Sequence, residues 1–374
     1  MKVIITCAGT GGHINPAIAI ANIIKKYDSS SEILFIGRKE GMELDLVSKS
    51  GCDIKSIRTG KLFRKLTFKN VLEMYNAYKG IQDSYNILKE FKPDICIGTG
   101  GYICVPVMKA AKKLNIPYIL HESNSYPGLS VKILSKNASK VLCGFEKTID
   151  NLKYKDNSIY TGTPCKIDFN DYNKLVKDEC KQDLNIELDK KVVFITFGSQ
   201  GAKFLNYKML DMIFMYKNKN ILYILVTGEN NYNDVLEYIK LKEIEYDLDY
   251  RKYLRIEKFI YDMSKMYKVA DMCITRAGAL TVTELSITKV PVILIPLPYA
   301  SENHQFHNAS IIKNVKAGSL IEEKSLNITI LNDYIVNTIY NEDKLKTMSN
   351  NYDKITKLDV DETILNEIVK VVKG

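Results

Sequence analysis

At 374 residues the chain has room for two domains, each large enough to bury its own core. Its 46% hydrophobic and 26% charged content is that of an ordinary globular protein and excludes a disordered chain, while a net charge of +9 favours acidic partners: phosphate-bearing substrates, anionic lipid or nucleic acid. The eight cysteines form no Cys-x-x-Cys pair, and several (Cys7, Cys96, Cys273) sit inside strand-like runs, so they read as reduced small hydrophobes.

In chain order, Val3 to Cys7 reads as a first strand and Ala17 to Lys26 as its helix. Strands follow at 33–36, 94–97, 118–120, 141–143 and 158–160, with a long helical stretch at 68–91. After the turn at Gly162 to Pro164 and a polar helix over 171–184, the alternation restarts with strands at 192–197, 221–226, 254–256, 272–275 and 292–295. This is an α/β pattern of two parallel sheets covered by helices, with a boundary near Thr163. From Asp361 the apolar spacing predicts a helix that packs back on the first half. No cleavable signal is expected, because the run Val3 to Ala8 is short and enters glycine-rich sequence. No apolar run reaches membrane-span length; Val290 to Leu297 comes nearest and is interrupted by two prolines.

Each half opens with a strand running into glycine. The first gives Gly9-Thr10-Gly11-Gly12-His13, and a later strand gives Gly98-Thr99-Gly100-Gly101-Tyr102. The first turn fails as a dinucleotide fingerprint, since Ile14 stands where a third glycine belongs, and as a P-loop, since Gly-Lys-Ser/Thr is missing. What remains is a backbone that a bulky anionic ligand can approach closely. The second half opens with Phe197-Gly198-Ser199-Gln200-Gly201. A hydrolase elbow needs glycine where Phe197 stands, so Ser199 reads as a phosphate donor rather than a nucleophile.

The segment Ala270 to Glu284 reads as strand, turn and helix, which points the first N–H groups at Ala279, Leu280 and Thr281 into the space above the sheet, an anion site. Glu284, about one and a half turns on, can accept both hydroxyls of a ribose. Together they describe a nucleoside diphosphate site, the alternative being an ordinary capped helix on a sheet with Glu284 in solvent. All four histidines, His13, His121, His304 and His307, fall in these turns or facing loops, a distribution that argues against a buried structural role for all of them. His121 to Asn124 follow a strand, so their side chains are expected at the carboxyl edge. His304 and His307 lack a third ligand with metal spacing. The general base is His13 or, in competition with it, Glu122. Between Asp53 and Glu73 no acid occurs, while Lys55, Arg58, Lys61, Arg64, Lys65 and Lys69 alternate with Leu62, Phe63, Leu66 and Phe68. That stretch reads either as a solvated loop or as a contact for an anionic membrane surface. Nucleic acid is not expected as a partner, for no recognition module is present.

The order Gly-Thr-Gly-Gly-His (9–13), Gly-Thr-Gly-Gly-Tyr (98–102), His-Glu-Ser-Asn (121–124), Gly-Ser-Gln-Gly-Ala (198–202) and Arg-Ala-Gly-Ala-Leu-Thr-Val-Thr-Glu (276–284) closely resembles the MurG family. These transferases carry N-acetylglucosamine from UDP to lipid I, forming lipid II for peptidoglycan synthesis. The resemblance implies the GT-B fold: two Rossmann-like domains facing across a cleft, 1–163 for acceptor and membrane, joined by a helix at about 358–374, and 164–357 for the UDP-sugar. It implies donor contacts at Thr10, Gly11, Gly12, Asn124, Lys166, Ser199, Ala279, Leu280, Thr281, Glu284 and Gln305, and acceptor contacts at Thr10, His13, Gly101, Tyr102 and Glu122. His304 stands where the family has a first glutamine, which leaves Gln305 as the sugar contact. Lys166 stands where the family has arginine, keeping the charge without the planar fork.

The resulting expectation is an inverting, metal-independent transferase, since no Asp-x-Asp motif stands in these loops. It would act peripherally at the cytoplasmic face of a bacterial membrane on UDP-N-acetylglucosamine and lipid I. The alternatives are another GT-B lipid glycosyltransferase, a UDP-N-acetylglucosamine 2-epimerase, and a non-catalytic UDP-sugar sensor.

Overall fold

Short apolar runs become strands here because the sheets they join are covered on both faces, so that residues of either parity are buried. The computed structural model describes residues 1–60, 68–246 and 249–374, with the backbone alone for 68–74. Two units divide the chain: Met1–Lys166 together with Asp359–Gly374, and Ile167–Leu358.

The first unit carries seven strands: β1 (Lys2–Thr6), β2 (Glu32–Arg38), β3 (Asp53–Ile57), β4 (Ile95–Gly98), β5 (Tyr118–Glu122), β6 (Lys140–Cys143) and β7 (Ser158–Tyr160). They form one parallel sheet in the order β3-β2-β1-β4-β5-β6-β7. The second carries β8 (Lys191–Thr196), β9 (Ile221–Val226), β10 (Leu254–Glu257), β11 (Met272–Thr275), β12 (Val292–Leu294) and β13 (Gly318–Leu320). Their order is β10-β9-β8-β11-β12-β13, again parallel. The C-terminal helix Val360–Lys373 belongs to the first unit, where Ile364 and Ile368 are fully buried with Val3, Ile5, Ile14 and Ile20. Each such side chain contributes about 1.5–3 kcal/mol by leaving water.

Four elements differ from the sequence expectation. The first helix starts at Gly11 instead of Ala17, so the glycine turn is itself the first helical turn. The polar helix over 171–184 is two, Phe169–Lys174 and Lys177–Asp183, separated by extended backbone at Leu175 and Val176. The edge strands β3 and β13 were not foreseen: β3 is largely polar and exposed, and β13 is three residues long. Among the described residues no helix is long and apolar enough to cross a membrane.

His121 departs from expectation as well. It lies within β5, paired with Leu142 of β6, and is fully buried rather than presented at the sheet edge. Its Nε2 lies 3.2 Å from the Gly162 carbonyl oxygen, and the Ser123 hydroxyl is 3.4 Å from Nδ1. A carbonyl oxygen only accepts, so Nε2 carries the proton and Nδ1 the lone pair. Burial pushes its pKa down to about 4, the Gly162 carbonyl opposing this and the neighbouring His13 adding to it. The unfolded chain protonates this imidazole near pH 6.5, whereas the native one stays neutral until about pH 4. Between those values only the unfolded state gains the proton, so the stability His121 contributes is complete above pH 6.5 and is lost as pH falls. Urea unfolding at pH 7 and pH 5 is therefore expected to show wild type losing about 2 kcal/mol more than His121→Gln over that interval. Equal losses would remove the histidine from the account.

Candidate functional site

Strand order reverses once in each sheet, between β1 and β4 and between β8 and β11. Loops leaving the two strands at such a point diverge to opposite faces and open the carboxyl edge to a ligand. The glycine turns of the sequence occupy both of these positions.

In the first unit, Thr10 is the extended residue before the helix Gly11–Tyr27, so the N–H groups of Gly11 and Gly12 lie in its first turn, where helical acceptors are lacking. His13 Nδ1 is 3.1 Å from the Thr99 carbonyl oxygen, and the Thr99 hydroxyl donates to the His13 carbonyl at 2.7 Å. With the proton on Nδ1, the lone pair of the neutral ring sits on Nε2. The β4 turn fits against the β1 turn only without side chains: a Cβ on Gly100 (φ +119°) would overlap the His13 ring, and one on Gly101 (φ +86°) would lie 2.5 Å from the Ala8 carbonyl oxygen. Thr10, Gly11, Gly12, His13, Gly101 and Tyr102 are thus brought together.

Tyr102 accepts a hydrogen bond from Arg38 Nη1 at 3.1 Å, and Arg38 Nε pairs with Glu43 Oε1 at 2.9 Å. Burial works against the charge on Glu43, but the hydrogen bonds from Arg38 and the backbone outweigh it and hold the carboxyl below its usual pKa. A cavity of about 310 Å³ opens beside Tyr102, with Arg38, Lys39 and Arg58 in its wall.

Glu122 is only 3% exposed. Its Oε1 accepts from the Asn124 backbone and amide at 2.9 and 3.0 Å, and its Oε2 from Gly128 N at 2.8 Å. The carboxylate therefore anchors the loop 122–128, and it fixes the Asn124 side chain. Lys166 is exposed at the end of the first unit.

In the second unit β8 and β11 are paired up to Thr196 and Thr275, so the Ser199 turn and the helix Ala279–Thr288 leave adjacent strands. Ser199 is exposed within a turn closed by Gly201 N donating to Gly198 O at 2.9 Å. A side chain on Gly201 (φ +67°) would overlap the Thr227 carbonyl. Glu284 lies five residues past Ala279 on this helix, whose Cα–Cβ bonds tilt toward the N-terminus and the first turn. The Tyr267 hydroxyl donates to its Oε2 at 3.1 Å.

Gln305 Oε1 accepts from Leu297 N at 2.9 Å. Because Leu297 N is a donor, the atom facing it is the amide oxygen, which leaves the amide nitrogen as the group Gln305 offers elsewhere. His304 Nδ1 is 2.7 Å from the Ser301 carbonyl oxygen, so its ring too carries the proton on Nδ1. Among the described residues no cluster of three His, Cys, Asp or Glu side chains is placed to hold a metal ion.

Sequence reasoning missed several supports. Arg276 donates to the Ile295 and Pro296 carbonyl oxygens at 3.1 and 3.0 Å and pairs with Glu323, so it staples the exits of β11 and β12. Thr99 and Tyr267 had no local signal, since each meets its partner through the fold, whereas Arg38 and Glu43 are five residues apart and pair across the turn between β2 and the next helix. The basic stretch needs correction at two positions: Lys55 pairs with Glu90 at 3.1 Å and Arg58 with Asp83 at 2.5 Å. Its residues Lys61, Leu62, Phe63, Arg64, Lys65 and Leu66, and the side chains of Phe68 and Lys69, lie outside the described residues.

Residues 3–143 match the glycosyltransferase family 28 N-terminal domain and residues 192–364 its C-terminal domain. A protein of Thermoanaerobacter sp. (strain X514), named UDP-N-acetylglucosamine--N-acetylmuramyl-(pentapeptide) pyrophosphoryl-undecaprenol N-acetylglucosamine transferase, is 37% identical over 371 residues, 99% of this chain and 100% of its own length. Its namesake from Clostridioides difficile (strain 630) is 35% identical, over 99% of this chain and 89% of its own. The crystal structure of Acinetobacter baumannii MurG superposes with a TM-score of 0.76 at 25% identity, covering 99% of both chains. UDP-GlcNAc 2-epimerase from Neisseria meningitidis shares the fold alone, with a TM-score of 0.68 at 15% identity over 99% of this chain and 100% of its own. With both family domains matched in order and relatives of more than 30% identity along nearly its whole length, the chain belongs to glycosyltransferase family 28.

Proposed function

We propose that the protein transfers N-acetylglucosamine from UDP-N-acetylglucosamine to the C4 hydroxyl of the muramoyl sugar of lipid I, with inversion, producing lipid II for peptidoglycan. The observation that carries this reading is the pairing, at the β8/β11 reversal, of a helix start at Ala279–Thr281 with Glu284 on the same helix and Ser199 on the next turn. That is the complement of a ribose and a diphosphate, and the relatives named above supply the sugar and the acceptor.

The acceptor oxygen attacks the anomeric carbon, the bond from that carbon to UDP breaks, and the hydroxyl proton passes to a base. His13 is the base in this proposal, since its Nδ1 proton is directed at Thr99 O and its Nε2 holds the lone pair. Glu122 is less suited, because its carboxylate already accepts three hydrogen bonds. UDP leaves with its charge met by the dipole of the helix Ala279–Thr288 and the hydroxyls of Ser199 and Thr281, so the reaction runs without a metal. Gln305 donates its amide N–H to the sugar. Thr10, Gly101 and Tyr102 line the acceptor diphosphate, beside the cations Arg38 and Lys39. Attachment is peripheral, at the cytoplasmic face of a bacterial membrane, through the basic stretch that ends at Lys69.

UDP release is expected to require a muramoyl lipid analogue, to persist in EDTA, and to fall about 10- to 100-fold in kcat/KM in Glu284→Ala, as losing hydrogen bonds to a charged group implies. Release indifferent to any muramoyl acceptor would sink the assignment. His13→Ala should lower kcat by about 10²–10⁴ while UDP affinity, read by calorimetry, stays unchanged; a kcat within twofold of wild type would move the base elsewhere. In sedimentation with vesicles, binding should appear with anionic lipid and vanish with neutral lipid or high salt. Binding equal on both lipids would refute an electrostatic attachment.

A further inference from the structure

Glu284 is held from behind. Tyr267, on the helix Met263–Val269, is 2% exposed and packs its ring edge-to-face against Phe194 of β8, with centroids 5.9 Å apart. Its hydroxyl, 3.1 Å from Glu284 Oε2, is satisfied by the one side chain that the ribose reading assigns to the ligand. Phenylalanine would fill the same volume in this core without bringing a hydroxyl out of water, a step that costs stability unless the group is bonded. In this core the oxygen has the Glu284 carboxylate as its partner. Burial first, and then the nearby Glu284 charge, keep the phenol pKa well above its ordinary value, so the group remains a donor across the working pH range.

A glutamate side chain has three rotatable bonds and loses much rotamer freedom on being fixed. A donor bonded to one of its oxygens from a rigid core removes that freedom before the nucleotide arrives, which is how supporting residues sharpen a binding site. We propose that Tyr267 is a positioning residue for nucleotide recognition: from the core it locks the Glu284 carboxylate in the orientation that accepts the ribose hydroxyls. This rests on the reading of Glu284 given above. Tyr267 touches no substrate; it acts through Glu284, and its contribution is to discrimination for an intact ribose.

The test is calorimetric binding of UDP and of 2′,3′-dideoxy-UDP to wild type, Tyr267→Phe, Glu284→Ala and the double variant, with thermal unfolding of each. Wild type should prefer UDP, and Glu284→Ala should bring the two affinities together. Tyr267→Phe should weaken UDP by about tenfold, leave dideoxy-UDP nearly unchanged, and add nothing in the Glu284→Ala background. A role in packing alone would weaken both nucleotides alike, or cost as much with Glu284 absent as with it present, and either result overturns the proposal. An undiminished ribose preference in Glu284→Ala would instead overturn the reading of Glu284, and the proposal with it. Should Tyr267→Phe prove unstable, Glu284→Gln supplies the second arm: an amide in place of the carboxylate weakens the phenol's bond, so UDP affinity should fall while dideoxy-UDP affinity holds. Full retention of ribose preference there would count against the lock.

Discussion

Two turns leaving neighbouring strands can share a carboxyl edge only where one of them yields its side chains to the other. That close approach is the constraint on which the first unit's site depends. Gly101 must lie against the Ala8 carbonyl and Gly100 against the His13 ring, at φ values open to glycine and strained for other residues. The contact turns the Thr99 carbonyl and hydroxyl toward His13 and so sets which ring nitrogen bears the proton. Glycine costs roughly 0.5–1 kcal/mol of extra chain entropy per residue relative to alanine, and the strand-order reversal is where that cost is offset by function. In the second unit a glycine again makes a close approach, Gly201 against the Thr227 carbonyl, but there it joins the turns of β8 and β9 rather than those of the β8/β11 reversal.

Within this frame, buried polar groups that are neighbours in sequence receive different partners. His121 and Glu122 are sequence neighbours and both buried. The histidine meets a carbonyl and a hydroxyl, which satisfy a neutral ring, and burial keeps it uncharged. The glutamate meets three N–H donors, which is the complement of a carboxylate. Glu43 extends the point, since Arg38 overcomes a desolvation that opposes its charge, and the pair in turn orients the Tyr102 hydroxyl.

What could be read from the sequence follows from the range of each interaction. Central strands such as β1, β8 and β11 announce themselves as apolar runs because covering helices bury both faces. The edge strand β3 is polar at three of its five positions, Asp53, Lys55 and Ser56, and so is hard to tell from the basic stretch that follows it. The donor-side helix was legible because strand, turn and first helical turn follow one another within a dozen residues. The Tyr267 contact was not, for its partner is 17 residues away on another element. His121 misled for a related reason: its place at a strand end was visible, whereas the Gly162 carbonyl that receives its proton comes from 41 residues later.

The basic stretch shows how a charge count along the chain can differ from the charge a surface presents. No acid lies between Asp53 and Glu73, yet the helix Phe68–Phe91 returns Asp83 to Arg58 and Glu90 to Lys55. Lys55 and Glu90 are both largely exposed, so their pairing is a loose one that water and salt screen. Arg58 differs, because it also binds Asp83 through Nε and its backbone N–H, which ties the end of β3 to the helix. Of the two, Lys55 is the base that an anionic surface can recruit by exchanging one exposed carboxylate for another anion. Arg58 is committed to the fold, and an attraction to acidic lipid has to rest on Lys55 and on the bases that follow Arg58.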